Sequence, residues 1–320
     1  MSNRKNIYQD YYKYYKPRVM PGGQANNSLR LPSHKHHLRK VFIVAVVLLV
    51  LVASLAYSFT DNGKTVTKKY ISKILSVTKT IRPAPSPSQN AKLMTMSNTI
   101  NSIINQNSDI DTSVSLVDLS NNQAENYGDS EAFAAASTTK VITAADFLKQ
   151  VELGRQSLSE TINGNTAEYE IQQMIVVSDD NAWAALDDVL GYPQLQSYAN
   201  NIGLNSFQSV PNTVTSDDMA LFLEKLYEGQ LLNSSNTKLL LSYMKQSDYR
   251  GYIVPAIPTG YTVYHKIGLY EDNVNDEAII TNGNKAFVIV IFTNGNGVYN
   301  WPARATMMQQ ITKAALAAYF

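Results

Sequence analysis

Cysteine is absent from all 320 residues, so the protein has neither a disulfide framework nor a thiolate metal site. Histidine is scarce. Three of the four, His34, His36 and His37, share one basic stretch, which leaves His265 alone further on. That argues against a histidine-based metal centre in the folded part, and no cofactor or metal is expected. Acid is nearly missing from two regions. Residues 1–40 hold nine Lys/Arg against Asp10, and residues 60–89 hold six against Asp61. Residues 90–320 reverse the balance, with twelve basic side chains against twenty-four acidic ones, so a formal charge of +1 hides a strong partition. A domain this acidic argues against nucleic acid as its partner. The basic segments before it suit a surface of anionic lipid or wall polymer.

The charged side chains also leave a gap at residues 41–59, where 19 consecutive residues are uncharged and mostly apolar. As a helix this run spans about 28 Å, the thickness of a bilayer core. We expect a single uncleaved transmembrane anchor. Ser54-Leu-Ala56 has the small residues of a cleavage site, but the charged region before it is too long for an ordinary secretory signal. Flanking charges are balanced, with four Lys/Arg in the twenty residues before and five in the twenty after. The basic first forty residues decide the orientation: N-terminus cytoplasmic, residues 90–320 outside the cell membrane. Residues 1–40 carry Tyr8, Tyr11, Tyr12, Tyr14 and Tyr15 without apolar periodicity and read as a disordered tail. Residues 60–89 read as a linker, basic at first and then rich in Pro and Ser up to Ser88.

Length and a 44% hydrophobic content allow one sizeable core in residues 90–320. Leu93, Met96, Ile100, Ile103 and Ile104 recur at helical spacing and predict a helix over 91–106. Alternation predicts strands over 113–119 and 123–128, turned at Asn121-Asn122. Further helices are predicted over 137–153 (closed by Gly154), 169–177, 181–190 (stopped at Gly191), 193–201, 216–227, 236–245 and 303–320. Three late strands follow over 262–267, 277–281 and 286–293, the last two turned by Asn282-Gly283-Asn284. The expected fold class is α/β. One five-stranded antiparallel sheet is made from both ends of the domain, around an all-helical insert.

Ser137-Thr-Thr-Lys140, Ser178-Asp-Asp180 and His265-Lys-Ile-Gly268 occur in that order. Serine-based hydrolysis needs a hydroxyl relieved of its proton and a lysine near it. It also needs a second hydroxyl–lysine pair to relay protons and grip a carboxylate. Residues three apart share a helix face, so Lys140 can lie beside Ser137. Ser-x-x-Lys also occurs at Ser2/Lys5, Ser76/Lys79, Ser235/Lys238 and Ser242/Lys245. Within the expected domain at 90–320, only the Ser137 copy has both other motifs downstream. Alone, Ser137 reads as a helix cap after an alanine run and Lys266 as a solvated strand charge. The ordered set favours catalysis.

From Phe133 onward the chain resembles class A β-lactamases and the related serine D,D-peptidases. Phe133-Ala-Ala-Ala-Ser-Thr-Thr-Lys140 resembles the start of their nucleophile helix, and Val151-Glu-Leu-Gly154 its end. Val177-Ser-Asp-Asp-Asn-Ala-Trp183 resembles the Ser-Asp-Asn segment, Tyr264-His-Lys-Ile-Gly268 the Lys-Thr-Gly strand, and Asn275-Asp-Glu-Ala-Ile279 its partner. The resemblance covers roughly residues 90–320 and implies a sandwich with its site at the seam between sheet and helical subdomain. It implies Ser137 as the acylated nucleophile and Lys140 as its proton acceptor. Ser178 would shuttle the proton to the leaving nitrogen, and Lys266 would hold both Ser178 and a substrate carboxylate. The backbone N–H of Ser137 and one from the strand after Gly268, at Tyr270, would form the oxyanion hole. Asp180, Asn181, Ile267, Gly268 and Tyr270 would bind substrate. A free lysine titrates near about 10.4, so Lys140 needs burial or nearby positive charge to act as base.

Three departures stand out. Asp180 replaces the usual Asn, with Asn181 directly after it, and a carboxylate only accepts hydrogen bonds. Ile267 replaces Thr or Ser, removing a hydroxyl contact worth about 1–2 kcal/mol. Most important, residues 204–215 contain no Asp or Glu, where class A enzymes carry the glutamate that activates the deacylating water. Gln208 can position a water there but cannot take its proton. Asp217 and Asp218 follow at a helix start, where caps are expected anyway. The expected protein is a membrane-anchored serine hydrolase acylated on Ser137 by a peptidoglycan stem peptide or a β-lactam, with slow deacylation. The alternatives are a true β-lactamase and a non-catalytic module that binds penicillin or wall.

Overall fold

Residues 86–320 are described by a computed structural model; the expected tail, the anchor at 41–59 and most of the linker lie outside the described residues. Among the described residues, no helix is long and apolar enough to cross a membrane. The chain starts with α1 (Pro87–Gln106), β1 (Asp111–Asp118), β2 (Gln123–Gly128), β3 (Phe133–Ala134), a 3-10 turn (Ala136–Thr139) and α2 (Lys140–Glu152). Then come β4 (Thr161–Ile162), β5 (Asn165–Thr166), α3 (Ala167–Val176), α4 (Asp180–Leu190), α5 (Tyr192–Asn201), β6 (Thr213–Val214), α6 (Ser216–Tyr227) and α7 (Ser234–Lys245). After a second 3-10 turn (Val254–Ala256), the chain ends with β7 (Thr262–Tyr270), β8 (Asn273–Thr281), β9 (Ala286–Asn294) and α8 (Trp301–Tyr319).

The main sheet has the order β2-β1-β9-β8-β7 and is antiparallel throughout, as expected. Its two early and three late strands meet where β1 pairs with β9. Both faces are covered, which is why β9 reads as one apolar run. Phe287, Ile289 and Ile291 join Met96, Ile100, Met308 and Ile311 in the core beneath α1 and α8. Val288, Val290 and Phe292 face the other way, into the helical insert with Phe147, Leu186 and Leu223.

Several boundaries differ from the sequence-based expectation, each for a local reason. The Pro/Ser segment that reads as linker through Ser88 turns helical at Pro87. Ser86 Oγ accepts from Gln89 N at 3.1 Å, and a proline at the first position has no N–H to satisfy. Ser137 lies in a 3-10 turn, with the α-helix starting only at Lys140. Strands β7 and β8 run on to a tight turn at Glu271-Asp272, with Glu271 at φ +51. Asn273, Asn275 and Asp276 disguised the start of β8, a strand buried along its whole length.

Candidate active site

The backbone before Ser137 is held from two directions. Ala136 has φ +53, an unfavourable conformation for a residue with a side chain, and tertiary bonds keep it there. Asn212, buried in the 204–215 loop, donates Nδ2 to Ala136 O at 2.9 Å and accepts from Thr139 Oγ1 at 2.6 Å; its carbonyl takes Ala135 N at 3.0 Å. From the sheet, Asn275 Nδ2 donates to Ala134 O at 2.8 Å and Ala135 O at 3.2 Å, while its Oδ1 accepts from Thr293 N at 3.1 Å. Asn275 pairs with Gly268 in the β7–β8 register. A Cβ on Gly268 would stand 2.5 Å from Ala135 O and 3.0 Å from the backbone nitrogens of Ser137 and Thr138. Only glycine lets the strand come this close.

Two lysines converge on one hydroxyl. Lys140 Nζ donates to Ser178 O at 2.7 Å and to Ser178 Oγ at 3.2 Å, and pairs with Asp180 Oδ1 at 2.7 Å. It also lies 5.0 Å above the Trp183 ring. From the opposite wall, Lys266 Nζ donates to Ser178 Oγ at 2.8 Å and to Ile267 O at 3.0 Å. Ser178 has φ +62, so both the turn before α2 and the turn before α4 contain a left-handed residue other than glycine. Both lysines are fully buried. Burial lowers the pKa of Lys140, and Asp180 opposes the fall. Burial and then the Lys140 charge bring Lys266 down to about 7, against Glu277, Asp276 and Asp180.

Ser137 is half-buried in the turn just before Lys140, and that turn packs against β7, the strand that carries Lys266. Asp180 occupies its motif position as the partner of Lys140. Asn181 is exposed on α4, its backbone N donating to Asp179 Oδ1 at 2.7 Å. Ile267 corrects an expectation: strand alternation turns its side chain into the core beneath α1 and α8, leaving only its carbonyl for the site. Tyr270 pairs with Asn273 at the end of β7, and its hydroxyl donates to Glu271 Oε1 at 2.9 Å. Asn212 and Asn275 were missed because an asparagine's tertiary partners leave no periodic trace. The one available signal was an amide in an otherwise buried strand.

The 204–215 loop is tied to the nucleophile segment by β6 pairing with β3. Val210, before the cis bond to Pro211, is half-exposed. Asp217 accepts from Ser115 and from Asn126 Nδ2, and Asp218 Oδ2 accepts from Ser206 N at 2.6 Å. Both carboxylates are engaged in holding the α6 start to its neighbours.

Known proteins resemble this chain in sequence and fold. Residues 95–319 match the model of the Beta-lactamase enzyme family. Beta-lactamase CTX-M-8 of Citrobacter amalonaticus is 27% identical over 214 residues, covering 56% of this chain and 74% of that protein. A PBP-A mutant, solved as an acyl-enzyme complex with penicillin G, superposes with a TM-score of 0.66 at 22% identity, covering 71% of this chain and 97% of that one. A β-lactamase from Xanthomonas campestris gives 0.64 at 20%, covering 69% and 96%. At such identities the structures speak for the fold alone. With a family match over most of its length and the fold to go with it, this chain belongs to the Beta-lactamase enzyme family.

Proposed function

We propose that this protein is an active-site-serine hydrolase that forms an acyl-enzyme on Ser137 with D-alanyl wall peptides or β-lactams and releases the acyl group slowly. The observation that carries the reading is the Ser178 hydroxyl held between two buried lysines, 3.2 Å from Lys140 and 2.8 Å from Lys266, next to the Ser137 turn. Ser137 Oγ attacks the amide carbonyl carbon, and its proton passes to neutral Lys140, the form burial favours. The carbonyl oxygen takes up the negative charge near the Ser137 N–H. As the C–N bond breaks, Ser178 gives its proton to the leaving nitrogen and is replenished from Lys140. Lys266 holds the substrate carboxylate.

Release of the acyl group needs a water relieved of a proton, and the 204–215 loop contains no carboxylate for that step. A true β-lactamase is the second reading, favoured by the match to CTX-M-8. Intact-mass measurement after a pulse of penicillin G separates the two. A single adduct on Ser137 lasting minutes or longer supports the first reading, and rapid loss with continuous drug hydrolysis supports the second. No adduct with any β-lactam or D-alanyl ester sinks both. The apolar run at 41–59 is proposed as the anchor that holds this domain outside the membrane.

A further inference from the structure

One carboxyl group beside the relay has no part in the chemistry above. Glu277 on β8 lies directly across from Lys266 on β7, on the sheet face that carries Ile279 into the helical insert. Cross-strand partners stand about 4.5–5.5 Å apart at Cβ. Both side chains are completely buried, and neither Glu277 oxygen has a hydrogen-bond partner. Its neighbour on the other side, Val290 of β9, offers no polar atom. Packing alone would be better served by an aliphatic residue, because a buried carboxyl without a partner is costly.

We propose that Glu277 is a positioning residue for Lys266: its carboxylate keeps the Lys266 amine protonated inside the core, able to donate to Ser178 and to hold an anionic substrate. This rests on the role given to Lys266 above. The other charged groups around the pair are Lys140 from α2, Asp180 from α4 and Asp276 from β8 itself. Asp276 points to the reverse face, 3.5 Å from His265. Helices α6 and α7, packed over this side of the sheet, contribute apolar residues such as Leu223 and Met244. Burial pushes Lys266 down to about 7 and Glu277 upward, while each in its charged form draws the other back. The two therefore titrate as a pair. Without Glu277, burial and Lys140 are opposed only by Asp276 and Asp180, so Lys266 must lose its proton at lower pH.

The test is an NMR titration of the lysine side chains in the full-length protein, with the Lys266 signal assigned by its loss in Lys266→Arg. In Glu277→Gln the Lys266 midpoint should fall by about one pH unit or more. Glu277→Ile, which suits the apolar surroundings, should give the same fall, and Glu277→Asp a smaller one. The basic limb of Ser137 acylation by penicillin G should move the same way. An unmoved Lys266 midpoint in either folded variant overturns the proposal. If wild-type protein is not acylated at all, the functional reading fails, and the NMR titration still decides the role of Glu277.

Discussion

Ser178 Oγ accepts from the amino groups of Lys140 and Lys266, so its own proton is left for another acceptor, which in the proposed reaction is the leaving nitrogen. The neighbouring charge works against this relay: Asp180 holds the proton on Lys140, while burial works to remove it. Asp180→Asn should therefore increase the fraction of neutral Lys140, and the acidic limb of acylation should move to lower pH. Labelling rates with penicillin G across pH 4–9 measure this, and an unshifted limb would mean that Lys140 is not the base. Lys140→Ala should slow labelling at least about a hundredfold, the usual scale for losing a proton-transfer group. Ser137, Lys140, Ser178 and Lys266 could be singled out because the proposed chemistry dictates their type and order. Ile267 was not. Its residue type showed a missing hydroxyl, but only the alternation of β7 shows that its side chain turns away from the site.

The 3-10 turn before α2 is the element on which the proposed activity rests, and its geometry is imposed from outside. Asn212 clamps it from the loop, and the Gly268–Asn275 pair seats it on the sheet. Gly268→Ala should drive a methyl group into Ala135 O and the Ser137 nitrogen, at a cost of about 1–3 kcal/mol in stability. Acylation should drop far more steeply than the melting temperature, since the displaced backbone carries the nucleophile. Calorimetry together with penicillin labelling would show the split. A variant that labels normally would show that the close approach is unnecessary. The bodies of the helices and the stops at Gly154 and Gly191 could be read closely, because periodicity and stop signals are local, whereas the Ser86 cap lay hidden in a segment that reads as linker. The ends of β7 and β8 could not, because the polar residues there serve contacts far away in sequence.

Across the molecule, the order of elements was legible from the sequence, and the sheet formed as expected from both ends of the domain. How the two ends join depends on β9, inserted between β1 and β8. This has a consequence for how the protein is made. While the ribosome is still working, the β1–β2 hairpin has no strand to pair with until residue 286 and beyond have been synthesised. Such distant pairing is slow to form. Asn275 and Gly268, which hold the backbone before Ser137, belong to the same late hairpins. A chain stopped after Gly283 still contains Ser137, Lys140, Ser178 and Lys266, yet it should take up no penicillin, and intact-mass analysis of that truncation would check it. On the proposed reading the reactive serine is synthesised early and armed late, so a half-made chain would carry its nucleophile harmlessly until the last strand closes the sheet.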